Sequence, residues 1–234
     1  MKKLLIILLA LPMIGFGQNV YIPDANFKAY LVGNTAINTN GDSEIQVSEA
    51  TAFSDTINCS SLNISDLTGI EAFTALTDLY CGSNQLTSLD VSNNIALTVL
   101  ACYSNPLTSL DISNNLALYH FQCENNQLTS LNVSIGSSSL IDGSFLADNN
   151  PNLFCINVDN VAWATANWTV ANGSIDPQHF FSTNCPPPSA IQEQTISKEL
   201  LKVTDLLGRE TKQTNQPLFY IYDDGTVEKR IVIE

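Results

Sequence analysis

Leu76–Ala96 reads LTDLYCGSNQLTSLDVSNNIA and Leu97–Ala117 reads LTVLACYSNPLTSLDISNNLA. The two stretches are 21 residues each, adjoin without a gap and are identical at 15 positions. A third copy opens at Leu118 as LYHFQCENNQLTSLNVS. A looser copy precedes them through Ile57-Asn58-Cys59, Leu62, Ile64 and Leu67. Another follows around Leu140, Gly143 and Phe145, then Leu153-Phe154-Cys155-Ile156. A fixed period of this length marks units that bury their apolar side by stacking on their neighbours. Leu79, Cys81, Leu86, Leu89 and Val91 are expected to point inward. Asn84, Asn105 and Asn126 recur where the chain turns sharply, and a side-chain amide there can satisfy backbone groups that the turn buries.

This pattern resembles the leucine-rich repeat, L-x-x-L-x-L-x-x-N/C-x-L, over roughly residues 57–157. The resemblance implies an α/β repeat solenoid: a short stack of parallel strands with a cap at each end. Residues 18–56 are read as the N-terminal cap. Its helix starts at Pro23-Asp24, carries Phe27, Tyr30 and Leu31 on one face and ends at Gly33. The repeats occupy 57–155, and residues 156–185 form a C-terminal cap holding Trp163 and Trp168. Pro186-Pro187-Pro188-Ser189 opens a stiff linker over 186–197.

Residues 198–234 differ in composition and read as short strands, Leu200–Asp205, Leu218–Tyr222 and Val227–Ile233, with a turn at Asp224-Gly225. Val203-Thr204-Asp205-Leu206-Leu207-Gly208-Arg209 and the closing Lys229-Arg230-Ile231-Val232-Ile233 resemble the C-terminal sorting domain of type IX secretion cargo. That resemblance implies a Bacteroidetes-type source and the type IX machinery as a partner. The Pro-Asn-Pro strand that opens longer members is missing. At the other end, Met1-Lys2-Lys3, the apolar run Leu4–Phe16 and Gly15-Phe16-Gly17 form an export signal over 1–17, with cleavage expected before Gln18. The run is short for a membrane span. A secreted or cell-surface location without a transmembrane anchor follows as the expectation.

Charge excludes some partners. The chain carries 9 Lys+Arg against 23 Asp+Glu, a formal net charge of −14. Residues 18–197 hold one cation, Lys28, and sixteen acids, or −15. Such a field repels phosphate, so nucleic acid is not an expected partner, and it disfavours anionic membranes.

Asn38–Glu49 (NTNGDSEIQVSE) lines up with a twelve-residue EF-hand-like calcium loop. The ligands would be Asn38, Asn40, Asp42, the Glu44 carbonyl and Glu49. Asn38 replaces the usual Asp and Ser43 the usual Gly, so an affinity on the order of 10⁻⁴–10⁻³ M is expected. The alternative is a polar loop between two short helices. Calcium is the one cofactor the sequence suggests. Cys59, Cys81, Cys102 and Cys123 follow the repeat period and form an inward column. Parallel Cβ vectors do not suit a disulfide torsion, so free buried thiols are expected. Cys155 and Cys185 break the period and flank the C-terminal cap, and in an exported protein they are expected to pair.

Catalysis finds no support. The two histidines, His120 and His179, belong to no catalytic motif, and Asp90 and Asp111 recur with the repeat as turn acceptors. Copies 76–96 and 97–117 differ at six positions. Three of these, Asp78/Val99, Tyr80/Ala101 and Gly82/Tyr103, are outward side chains of the strand, while the core positions are held. The expected ligand face is therefore the concave one: Tyr80, Val99, Tyr103, His120, Gln122, Glu124 and Asp142, with Ser144 and Leu146 beside them. Tyrosines among mixed polar groups suit a protein or glycan ligand. A structural or adhesion spacer without a specific site is the alternative.

Overall fold

The computed structural model describes residues 18–136, 144–186, 200–204, 210, 217–222 and 227–231. The signal segment 1–17, most of the linker, the Asp224-Gly225 turn and Asp142 lie outside the described residues. The chain divides into two compact units, Met1–Pro186 and Pro187–Glu234.

In the first unit the strands run in chain order β1 (Thr56–Asn58), β2 (Asp78–Tyr80), β3 (Val99–Ala101), β4 (Ser109–Asp111), β5 (His120–Gln122), β6 (Ser130–Asn132), β7 (Ser144–Leu146), β8 (Cys155–Asn157) and β9 (Phe180–Ser182). They form two parallel sheets, ordered β1-β2-β3-β5-β7 and β4-β6-β8-β9. The fold is a short leucine-rich-repeat stack of parallel strands. Register follows the period: Ile57, Leu79, Leu100, Phe121 and Phe145 lie side by side on the inner face. These five are buried, as are Cys59, Cys81, Cys102 and Cys123.

A second strand in each later repeat was not foreseen. Ser109-Leu110-Asp111 alternates exposed, buried, exposed, the pattern of a strand with one face on a core. Two strands and their turns fill a 21-residue period and leave no room for a helix of several turns. Among the described residues the helices lie outside the regular copies: α1 (Ala25–Gly33), α2 (Val47–Ala52), α3 (Val161–Asn167) and a single 3₁₀ turn at Ile70–Ala72.

The Asn ladder holds successive turns together. Asn105 Nδ2 donates to the Cys81 carbonyl (3.1 Å) and the Cys102 carbonyl (3.1 Å), while its Oδ1 accepts from Leu86 N (3.0 Å). Asn84, Asn126 and Asn150 do the same in their own turns. The residue before each is left-handed: Ser83, Ser104, Asn125 and Asn149 have φ of 56°, 53°, 57° and 55°. That sharp reversal directs peptide groups into the interior, where the amide meets them.

Both ends are covered. Asp24 caps α1, its Oδ1 accepting from Asn26 N (2.9 Å) and Phe27 N (3.0 Å). Its Oδ2 reaches the first repeat through Ser65 N (2.8 Å) and Ser65 Oγ (2.9 Å). At the other end Trp168 stacks on Phe145 with centroids 3.8 Å apart and meets Trp163 edge-on. Cys155 and Cys185 are joined by a disulfide, and the other four cysteines are free and buried. No helix of the described residues is long and apolar enough to cross a membrane.

The second unit holds β10 (Leu200–Thr204), β11 (Pro217–Tyr222) and β12 (Val227–Ile231) in an antiparallel sheet ordered β10-β11-β12.

Candidate ligand-binding faces

The outward side chains of the first sheet form three rows across the stack. Asp78, Val99, His120 and Ser144 align in the first, and Tyr80, Ala101, Gln122 and Leu146 in the second. The third continues past the strand ends through Gly82, Tyr103, Glu124 and Asp148. Ser83 N donates to the Tyr103 carbonyl (2.9 Å), Ser104 N to the Glu124 carbonyl (2.9 Å) and Asn125 N to the Asp148 carbonyl (3.1 Å). Tyr80, Tyr103, His120, Gln122 and Glu124 are each half-buried on this face.

Val99 departs from its expected role. It is 5% exposed and offers a ligand almost nothing. Asp78 and His120, both larger, flank it in register, and Ala101 is likewise buried between Tyr80 and Gln122. Tyr103 lies back toward the preceding turn. A Cβ built on Gly82 would fall 2.6 Å from its ring, so the glycine is what lets the ring settle there. The missing side chain at position 82 and the large one at 103 are one packing unit.

Glu124 is the unusual group of the face. Burial raises its pKa above the ordinary carboxylate value, and the Asp148 charge adds to the shift. Its Oε2 is buried without a hydrogen-bond partner. A raised folded-state pKa means that the native protein holds the proton more tightly than the unfolded chain does. Its contribution is then fully present below the ordinary Glu value and is lost as pH rises through the raised one. Glu124→Gln should therefore gain stability relative to the parent at pH 7 and show no gain at pH 3.5, as read by urea unfolding at both. An equal difference at the two pH values would contradict this assignment.

The candidate calcium loop closes on itself. Asn38 Nδ2 donates to the Val32 carbonyl (3.0 Å) and the Asp42 carbonyl (2.7 Å), and its Oδ1 accepts from Gly41 N (3.0 Å). Asp42 Oδ1 accepts from Glu44 N (2.7 Å), and its Oδ2 from Asn40 Nδ2 (3.0 Å). Glu44 pairs with Lys28 at 2.7 Å. Glu49 completes a capping box with Gln46, Oε2 accepting from Gln46 N (3.0 Å) and Oε1 from Thr39 N (2.8 Å) and Thr39 Oγ1 (2.9 Å). Burial opposes ionisation of Glu49, yet these bonds outweigh it and hold the pKa below the usual value. Among the described residues no three His, Cys, Asp or Glu side chains converge as a metal set. In this arrangement the side chains of Asn38, Asn40, Asp42 and Glu49 hold a turn and a helix cap, and the Lys28 pair engages the Glu44 carboxylate, not the Glu44 carbonyl that the calcium reading uses.

Two depressions open on the other side, over the second sheet. One of about 410 Å³ lies between Leu89-Asp90 and β4, and a second of about 340 Å³ lies between Asp66-Leu67 and Ser88-Asp90. Leu89, expected inward, is only half-buried between them. The sixth difference between the two best copies, Gln85 against Pro106, lies three residues before β4. A third depression, about 300 Å³, lies where Ser144 and Leu146 meet Trp163 and Asn167 of the cap.

These geometries define a capped solenoid with one strand face and one opened second face. No family model matches the chain. Over 77 residues it is 39% identical to Internalin J of Listeria monocytogenes serotype 4b (strain F2365), a match covering 32% of this chain and 8% of that protein. The chain thus spans less than a tenth of the length of the curated relative it matches. Among solved structures, the functional domain of InlJ from Listeria monocytogenes, described as including a cysteine ladder, is 27% identical. That match has a TM-score of 0.39 and covers 60% of this chain and 38% of the other. An internalin (InlF) from strain 4b F2365 is 17% identical with a TM-score of 0.43, covering 65% and 44%. The fold assignment rests on the strand ladders of the chain itself.

Proposed function

We propose that this chain is a secreted or surface-displayed recognition protein that binds a protein or glycan ligand non-covalently through the outer face of its first sheet. The observation that carries the reading is the contrast between repeats. Core positions are held across Leu76–Ala117, whereas Asp78, Tyr80 and Gly82 become Val99, Ala101 and Tyr103. Together they shape one face, with Tyr80 and Tyr103 as its large side chains. Aromatic residues dominate interface hot spots because they bury much area at little entropic loss. Export by a type IX-like route is part of the same proposal and is supported by the residues of the signal run and of the tail. A stack serving as a spacer is the competing reading, and the half-burial of the tyrosines on an open face favours recognition.

The full chain should capture a partner from surface proteins or glycans of neighbouring cells. Replacing Tyr80 and Tyr103 together by Ala should weaken that binding by about 2 kcal/mol or more. The melting transition should move little, since neither ring fills the interior. Thr87→Ala, exposed on the far side, should leave binding unchanged. Equal effects from the two variants would favour the spacer. Export is checked by mass analysis of the surface fraction, where Gln18 should be the first residue and a retained Met1 would refute the signal.

A further inference from the structure

We infer that the opening around Ser88–Asp90 on the second-sheet side is a binding site for a neutral saccharide. Ser88-Leu89-Asp90 has the same sequence as β4 and differs from β6 by one residue, yet it pairs with no strand. Among the described residues no backbone hydrogen bond joins 87–91 to 108–112. In the next pair of turns Thr129 N donates to the Thr108 carbonyl (2.8 Å) and Ile112 N to the Asn132 carbonyl (3.0 Å). A local difference accompanies the gap. Gln127 N donates to the Leu107 carbonyl in the next pair of turns, whereas Pro106 has no N–H to offer Leu86. Gln85 N does donate to the Ile64 carbonyl, in a pair of turns that likewise forms no second-sheet ladder.

The two turns are still tied at both ends of the gap. Asn105 accepts from Leu86 N, and Asn115 Nδ2 donates to the Val91 carbonyl (2.9 Å). A further strand cannot enter such a slot, because neighbouring strands need about 4.8 Å on each side. The opening is instead a depression of about 410 Å³, the size of a small-ligand site, with a second of about 340 Å³ sharing Leu89 and Asp90.

Its chemistry matches a sugar ring. Asp90 Oδ1 is pinned by Ser92 N (2.9 Å) and Asp111 Oδ1 by Ser113 N (2.8 Å), so both carboxylate planes are set before a ligand arrives. The Ser92 hydroxyl also bonds to Asp90, and Asp111 Oδ2 accepts from Asn132 Nδ2 at 3.2 Å. The hydroxyl of Ser109 and the unpaired peptide groups supply donors and acceptors at the rim. Leu89 and Leu110 offer an apolar patch for the C–H face of a ring. A saccharide carries the complementary set, hydroxyls around its edge and C–H on its face, and fixed partners hold it at a low ordering cost. The acidic field rejects sulfated and carboxylated sugars, which leaves neutral ones. This site is separate from the first-sheet face and does not depend on it.

The full chain is tested on an array holding neutral, sulfated and sialylated oligosaccharides. Retention of neutral members is expected. Pro106→Gln keeps every lining residue and restores the residue of the adjacent copies. By closing the ladder it should reduce affinity by about tenfold or more, and Asp90→Asn with Asp111→Asn should do the same, the size expected for the loss of a few hydrogen bonds. If Pro106→Gln does not fold, Ser109→Trp at an exposed position blocks the same depression. Failure to retain any neutral glycan, or a preference for acidic ones, overturns the proposal. So does retention untouched by these variants but lost on changing Tyr80 and Tyr103, which would place the sugar on the first sheet.

Discussion

Asn105→Ala should lower the unfolding free energy by about 3 kcal/mol or more, among the largest effects of any single polar substitution in this chain. The side chain is 5% exposed and binds three carbonyls and one peptide N–H, drawn from two successive turns. Alanine leaves Leu86 N buried without its partner, a loss of about 1–3 kcal/mol, and strips the Cys81 carbonyl of one of its two donors, the other being Asn84 Nδ2. Water cannot readily replace the amide, since the surroundings are the interior of the stack. Ser104, held at φ 53°, would also lose the interaction that rewards its left-handed backbone. Urea unfolding of the full chain reads the effect. Asn114→Ala, exposed and one residue from the equally buried Asn115, should stay within about 0.5 kcal/mol of the parent. A loss below about 1 kcal/mol for Asn105→Ala would show that the ladder contributes little.

Removing the bridge between Cys155 and Cys185 by a double Ser substitution should cost about 3–4 kcal/mol, from the chain entropy of a loop spanning 30 residues. That loop holds α3, Trp163 and Trp168, which close the aromatic end of the core. The loss should therefore appear with a change in tryptophan fluorescence, because Trp168 would no longer be held against Phe145. Thiol counting separates the two classes of cysteine. Burial pushes the Cys59 thiol up to about 12 and raises those of Cys81, Cys102 and Cys123 as well, so none should be labelled in the native state at pH 8. In denaturant without reductant four should react. Six reactive thiols, or a bridge within the column, would refute the pairing.

The features that sequence determined by itself are those that repeat. Stacking multiplies one local preference by the number of copies, so the period, the inward Leu and Cys columns and the Asn at each turn could be read from Leu76–Ala117. The helix cap at Asp24 was legible for a related reason, since its partners lie two and three residues away. Other features depended on what faces a residue across a repeat boundary. Val99 is an outward residue by alternation, yet the size of Asp78 and His120 on either side decides that it is buried. Asn38–Glu49 carries calcium-loop spacing, and only the structure shows that Glu49 also serves a capping box with Gln46 and that the Glu44 carboxylate pairs with Lys28, ten residues upstream of the loop. The second sheet and its opening were hardest to foresee. Ser-Leu-Asp is the same tripeptide at 88–90 and 109–111, and only the register of whole turns shows that one is paired and the other is not. The sequence difference at that boundary is Pro106, which has no N–H for a carbonyl 20 residues away, and its effect depends on how whole turns stack.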